Sequence, residues 1–278
     1  MKCSQCCSKA SFRGFTRVEL LALLATLALL AAVTRPVWGN GGQPRSVMCM
    51  DNLRRLSAAW LLYTEDSGGE YAGNYHGQFT PGVAPGARPW VTGFLDWTTA
   101  PDNTNTVFLT DSRYSALAPY LGGDTTAHQC PSDEFVSAVQ AVRRAGRVRS
   151  YAMNCFLGEG NQASFPLLNP AYSLLRKPVE FRRLSPRQVF VFLEEHLDSL
   201  TDGLFWAPNS PQNWVDFPGS LHDGAAWFTY ADGHVELRRW VSSRTVRPVS
   251  ASGNMNMVQT TPNDPDLVWW LEHASEPK

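Results

Sequence analysis

Neither sign of charge dominates this chain. Its 278 residues carry 24 Lys and Arg against 25 Asp and Glu, a formal net charge of −1. A surface built to hold nucleic acid needs a basic excess, so nucleic acid is excluded as the main partner. Arginines do cluster at Arg143, Arg144, Arg147 and Arg149, and again from Arg176 to Arg187, but without interleaved aromatics. They read as a solvated face. The sequence patterns of chemistry are missing too. Gly-x-Ser-x-Gly, His-Glu-x-x-His and phosphate-loop patterns are all absent, which leaves no nucleophile elbow, helical zinc pair or phosphate cradle. Cys3, Cys6 and Cys7 are closely spaced, but no further ligands follow within reach, so they make no zinc site.

Glycine and proline are also missing from Leu20 to Val33, where Thr26 is the one polar residue. Leu and Ala dominate the run, which predicts helix. Counted from Phe15, it reaches the ~20 residues that cross a hydrocarbon core of ~30 Å. A membrane-spanning helix is therefore expected over residues 15–35. Lys2, Lys9, Arg13 and Arg17 precede the run and Arg35 follows it, which orients the N-terminus to the cytoplasm and the rest outside. Disulfides are permitted there. Glu19 is the oddity, because a carboxylate costs roughly 2.5–3.5 kcal/mol at the centre of such a helix and asks for a partner. A secretory signal peptide or a plain anchor would also give an apolar run. The first lacks a clear small-x-small cleavage site, and the second leaves Glu19 unexplained.

Gly14-Phe15-Thr16-Arg17-Val18-Glu19, followed by the Leu/Ala run, resembles the processing signature of type IV prepilins and type II secretion pseudopilins. The resemblance implies that residues 1–14 are a leader and that a prepilin peptidase cuts between Gly14 and Phe15. It further implies N-methylation of Phe15, and assembly in which Glu19 pairs with the terminal ammonium of a subunit. Arg17 departs from the pattern, which usually has an apolar residue there; its stem could snorkel. The stretch from Cys49 to Asp66 is similar to one that follows the anchor in bacterial pseudopilin-like proteins. Cys130-Pro131-Ser132-Asp133 and Ser150-Tyr151-Ala152-Met153-Asn154 match the same group. His222, nine intervening residues, then Asp232-Gly233 matches the pattern that names a prepilin-processing-associated domain.

These resemblances imply a bacterial single-pass protein of the inner (cytoplasmic) membrane with its head in the periplasm or outside. The implied fold class is α+β: a membrane-spanning N-terminal helix followed by a pilin-like head with an antiparallel β-sheet. The implied role is a structural subunit, not an enzyme, of a type II secretion pseudopilus or type IV pilus-like fibre. Implied partners are prepilin peptidase, other pilin or pseudopilin subunits, inner-membrane lipid and a secretion or pilus assembly platform.

Further along, Pro36, Gly39 to Gly42 and Pro44 interrupt the helix. Helical spacing resumes from Ser46, with Met50, Leu53, Leu56, Trp60 and Leu61 three and four apart, and ends before Gly68-Gly69. Residues 36–69 thus form a linker and the second part of the helix, and residues 70–278 the head. Tyr71 to Pro89 reads as loop, Trp90 to Trp97 as a short strand, Asp102 to Thr106 as a turn and Ser112 to Leu121 as a short helix. Val189 to Leu193 reads as a buried strand, and Glu194-Glu195-His196 as loop-edge charges, with an acid/base or metal cluster as the rival reading. Ala226 to Tyr230 and the stretch from Val235 form a hairpin around Asp232-Gly233, and Asp266 to Leu271 a last helical turn. His222 and Asp232 are expected to act structurally, as an imidazole–carboxylate pair.

Cys49, Cys130 and Cys155 remain in the mature part; their odd number allows one bridge and leaves the pairing open. No cofactor is expected, since Asp202, Asp216 and Asp223 lack a diagnostic calcium spacing. Two rival readings stay in view. One is a membrane-anchored extracytoplasmic enzyme using His222, Asp232, His196 or Glu195. The other is a carbohydrate-binding head, suggested by the 10 tryptophans.

Overall fold

The computed structural model describes residues 16–33, 44–77, 88–143, 146–161, 168–206, 213–252, 258–259 and 262–278. Gly14, Phe15, the leader cysteines, the breakers over 34–43, most of the expected loop (78–87) and Arg144 lie outside these residues. The chain divides into two units, Met1–Gln43 and Pro44–Lys278.

The first unit contains helix α1, Arg17–Val33. Its start is set by Thr16 and Glu19, which form a reciprocal cap: Thr16 N donates to Glu19 Oε2 at 2.8 Å, and Glu19 N donates to Thr16 Oγ1 at 3.3 Å. The length of α1 corrects the expectation of a membrane-spanning helix. The helix has 17 residues, about 25 Å at 1.5 Å per residue, against a hydrocarbon core of about 30 Å. Arg17 and Glu19 also occupy its first turn. Among the described residues no helix is long and apolar enough to cross a membrane. The single-pass inner-membrane placement is corrected with it.

The second unit begins with helix α2, Arg45–Asp66, which buries Cys49, Leu53, Leu56 and Trp60 along one stripe. Short helices follow: α3 (Val107–Thr110), α4 (Ala118–Leu121) and α5 (Ala138–Arg143). The helix expected over 112–121 is thus only its last turn, closed by Gly122 at φ +61°. The strands are β1 (Tyr151–Asn154), β2 (Phe190–Glu194), β3 (Leu204–Phe205), β4 (Asn213–Trp214), β5 (Ala225–Tyr230), β6 (Val235–Arg239) and β7 (Val258–Gln259). Helix α6, Pro265–Ala274, closes the chain. Asp264 caps it by accepting from Asp266 N and Leu267 N, with proline at the first helical position.

Five strands form one sheet in the order β3-β1-β2-β5-β6, and β4 pairs with β7 apart from it. The main sheet is mixed, not purely antiparallel as expected, because β3 runs parallel to β1. The other pairings are antiparallel, so the fold is α+β. Strand β2 lies in the middle and is buried along its whole length. One face packs Tyr151, Met153 and Val191 against α2; the other packs Phe190, Phe205 and Phe228 against Trp214 and Trp270. Trp60, Trp90, Trp214 and Trp270 are completely buried, which accounts for these indoles as core packing.

Two local expectations change. Residues Trp90 to Trp97 form no strand. They are buried extended chain whose amides go elsewhere: Phe94 N to Asp102 Oδ2, Leu95 N to Thr201 O and Asp96 N to Asn103 Oδ1. Arg147 and Arg149, expected on a solvated face, are 3% and 1% exposed. Arg147 lies over the Trp97 ring at 3.9 Å and donates to Leu197 O, while Arg149 donates to Tyr151 O and Asp202 O. Backbone carbonyls and aromatic faces replace water around both cations.

Candidate functional site

Four elements converge beneath the first turns of α2. Cys49 comes from α2 itself and Cys130 opens the turn that Asp133 N closes on Cys130 O; the two form a disulfide with their Cα atoms 4.8 Å apart. Cys155 stays outside this bridge and is buried. Glu194 ends β2 and His222 sits in the turn before β5. All four side chains lie together, their donor atoms within 4.8 Å of one another.

The local sequence explains how each arrives there. After Gly219 the chain passes close to the end of β2, where a Cβ on residue 219 would lie 3.0 Å from Glu194 Cβ. Any side chain there would force Glu194 to give by a few tenths of an ångström, so glycine suits the approach. Gly219 N donates to Glu194 O at 2.7 Å. Asp223 and Gly224 then take φ +53° and +76°, which reverses the chain and turns the imidazole of His222 inward. Left-handed backbone is easiest for glycine and tolerable for aspartate.

Inside, His222 Nε2 meets Glu194 Oε1 at 2.7 Å and lies 3.6 Å from Cys130 Sγ. Glu194 Oε2 accepts from Trp227 N at 3.0 Å. Glu194 is fully buried and His222 is 8% exposed, so each is the other's main compensation for lost water. Ser132 N donates to Cys130 Sγ at 3.4 Å, and Cys130 N to Ser150 Oγ at 3.1 Å. Burial holds the neighbouring Tyr151 hydroxyl well above its ordinary value; it donates to Cys49 O at 3.4 Å.

The expected His222–Asp232 pair does not form. The two stand at opposite ends of β5, whose six residues span about 20 Å at ~3.3 Å each. Asp232 instead accepts from His234 N at 3.1 Å and meets His234 Nδ1 at 2.5 Å. Burial pushes the Asp232 carboxyl up, but these bonds from His234 outweigh it and hold the group below its usual range. Gly233, at φ +91°, closes the β5–β6 turn, the backbone position its sequence context predicts.

Glu194-Glu195-His196 are not loop-edge charges; all three are buried. Glu195 Oε1 accepts from Ser199 Oγ at 2.9 Å, and its Oε2 finds no donor among the described residues. His196 Nδ1 accepts from Asp198 N, leaving Nε2 to donate to Arg247 O at 3.2 Å. Burial lowers the His196 value, and both ring nitrogens are engaged in holding loops together. Asp198 accepts from Ser250 and Ala251, and Asp202 from Gly77 N and Leu204 N. Two clefts, of about 310 and 350 Å³, are lined by other residues, around Gln129 and Val148 and around Leu184 and Leu271.

The Glu195–Asp216 neighbourhood has a pH consequence. Burial, and then the charge of Asp216, push Glu195 well above the carboxylate range; burial, and then Asp202, do the same to Asp216. Folded values above the unfolded ones give stability that is complete below about pH 4 and is lost as pH rises through the folded values. Asp216→Asn keeps an oxygen to accept from Trp206 N, a bond of 2.7 Å, and removes the charge. Its urea midpoint should exceed that of the wild type at pH 7, with the gap closing toward about pH 4.

Of the residues singled out by sequence, Cys49, Cys130 and His222 come together, while Asp232, Gly233 and Cys155 lie elsewhere. Glu194 was the one underrated. The signal was a carboxylate ending an uninterrupted apolar strand, where both faces are covered and a charge must find partners. No family model matches this chain, and no curated protein and no solved structure matches it.

Proposed function

We propose that this chain is a pilin-like structural subunit, cut by a prepilin peptidase between Gly14 and Phe15 and assembled with similar subunits into a fibre. A type II secretion pseudopilus and a type IV pilus-like fibre both fit that description. The observation that carries the reading is Glu19. It stands in the first turn of α1, beside Val18, Leu20, Leu21, Leu23 and Leu24, which are 50–74% exposed. Successive helical residues point about 100° apart, so this apolar surface encircles the helix. Such a helix is stable when neighbours cover it, and in a fibre the helices of other subunits supply the cover. A carboxylate enclosed there needs a cation. The amine that cleavage creates on Phe15 is one, four residues away in sequence and available from a neighbouring subunit. Until then Thr16 N and Oγ1 satisfy Glu19 at 2.8 and 2.9 Å, and these bonds lower its pKa.

The head supports the same reading. Buried Glu194, His196, Asp198, Asp202 and His222 are occupied in joining strands and loops, and a disulfide ties α2 to the sheet side of the core. Such a unit is suited to bearing load.

The test is mass spectrometry of the N-terminal peptide from protein purified from its own cells. A chain beginning at Phe15, with or without an added methyl group, is expected; a start at Met1 or near Thr34 would refute processing. Glu19→Val should leave processing and the head intact. Its incorporation into fibres should fall by roughly a hundredfold or more, since a broken enclosed pair costs about 3–5 kcal/mol.

A further inference from the structure

We propose that Cys49, Cys130, Glu194 and His222 form a closed tetrahedral Zn²⁺ site once the Cys49–Cys130 bond is reduced. The inference is independent of fibre assembly. Four donors from four separate parts of the chain meet at one point: Sγ of Cys49, Sγ of Cys130, an oxygen of Glu194 and Nε2 of His222, all within 4.8 Å of one another. Zinc bonds of about 2.3 Å to sulfur and 2.0–2.2 Å to nitrogen and oxygen require tetrahedral edges of about 3.3–3.8 Å. The Sγ–Nε2 contact of 3.6 Å falls inside that range and the Nε2–Oε1 contact of 2.7 Å lies below it, so side-chain rotations of a few tenths of an ångström to an ångström suffice. Breaking the S–S bond frees the two sulfurs to part.

The donor set selects the ion. Two thiolates and an imidazole suit zinc, whereas calcium and magnesium take oxygen ligands. Outer partners are already in place. Trp227 N holds Glu194 Oε2 and Ser132 N holds Cys130 Sγ, which orient the ligands and offset the surplus negative charge of three anions around a dication. All four side chains are buried, and no position is left for water or substrate. The site is structural, not catalytic.

The chemistry balances with a dithiol reductant. Its two thiols join in a disulfide, and their electron pair and two protons pass to the sulfurs of Cys49 and Cys130 as the bond between those breaks. Zinc then displaces both thiol protons into solvent, and the ring proton of His222 moves from Nε2 to Nδ1. The cluster therefore holds α2, β2 and the β5 turn together in either redox state, by a covalent bond when oxidised and by a metal when reduced.

The experiment compares the full chain, oxidised and after reduction with a phosphine in the absence of oxygen, for zinc retained after desalting. A parallel titration uses Co²⁺ as a spectroscopic probe. Reduced protein should retain a single zinc ion and oxidised protein none; Co²⁺ should give a near-ultraviolet thiolate charge-transfer band. Added zinc should raise the melting temperature of reduced protein alone. Cys130→Ser and Glu194→Gln should lose stoichiometric binding. His222→Cys restores a fourth ligand, and should bind while intensifying the thiolate band, which separates loss of a ligand from loss of the fold. Reduced wild type that retains no zinc, equal retention in both redox states, or a Co²⁺ spectrum without the thiolate band would overturn the site.

Discussion

Replacing Cys49 and Cys130 together by Ala is expected to cost about 4.5 kcal/mol in metal-free protein. The bridge closes a loop across 81 residues, and the chain-entropy relation for a loop of that length gives this figure, near the top of the range found for natural disulfides. The loop spans most of α2, the 88–128 segment and all of α3 and α4, so unbridged chain gains freedom over nearly a third of the protein. Against a total stability of 5–15 kcal/mol the loss is severe. It should appear as a fall of roughly 10–15 °C in melting temperature for a unit of this size. Urea melts of the double variant and the oxidised wild type measure it. Reduction of the wild type without zinc should give a similar fall, and a change below about 1 kcal/mol in either case would show that the bridge carries no such load. Cys155→Ala is the control: it lies outside the bridge, and its small cavity sets the scale for losing a buried thiol alone.

Much of the architecture can be read from local pattern because local physics decides it. Helix α2 follows from apolar residues three and four apart, and the β5–β6 hairpin from Asp232-Gly233, whose glycine takes the positive φ the turn demands. Strand β2 follows from five consecutive apolar positions over 189–193. Local pattern failed where a residue's role depends on a distant partner. Arg147 and Arg149 look like surface charges until Leu197 O, Tyr151 O and Asp202 O are found to receive them. The Trp90–Trp97 segment looks like a strand, but its amides bond to Asp102, Asn103 and Thr201, and among the described residues no strand pairs with it. Helix α1 shows a third kind of failure: composition predicted a span, whereas the described helix has 17 residues with Arg17 and Glu19 in its first turn, and is not long and apolar enough to cross a membrane.

The candidate site has the same structure of partial legibility. The cysteines and His222 stood out by residue type and spacing. Their convergence depends on the strand order that places β2 between β1 and β5, which brings Glu194 beside Trp227 and the His222 turn. A nine-residue spacer between His222 and Asp232 suggested a pair, but the intervening residues form an extended strand that holds the two apart. The motif therefore joins two separate devices, a buried ligand cluster at one end of β5 and a turn at the other.

Trp270→Ala is expected to cost about 3–5 kcal/mol, the range for removing a large aromatic from a core that relaxes only partly. Trp270 is completely buried at the centre of the face opposite α2. Its ring lies 5.0 Å from Phe190, 5.6 Å from Phe205 and 6.3 Å from Trp214, so one deletion removes contacts to β2, β3 and β4 together. Leu267, Leu271 and Ala274 of α6 share the same face, and its last turn is tied to the sheet through Asn154 Nδ2, which donates to Ala274 O at 2.6 Å; at its first turn Asp266 accepts from Val241 N and Ser242 N. The companion variant Trp270→Phe separates packing from polarity. The indole Nε1 has no partner among the described residues, so phenylalanine removes an uncompensated polar group while keeping most of the ring. It should cost less than about 1.5 kcal/mol. Urea denaturation of both variants checks the pair. Equal losses would mean that the indole N–H is satisfied after all, and small losses for both would mean that α6 is dispensable to the core.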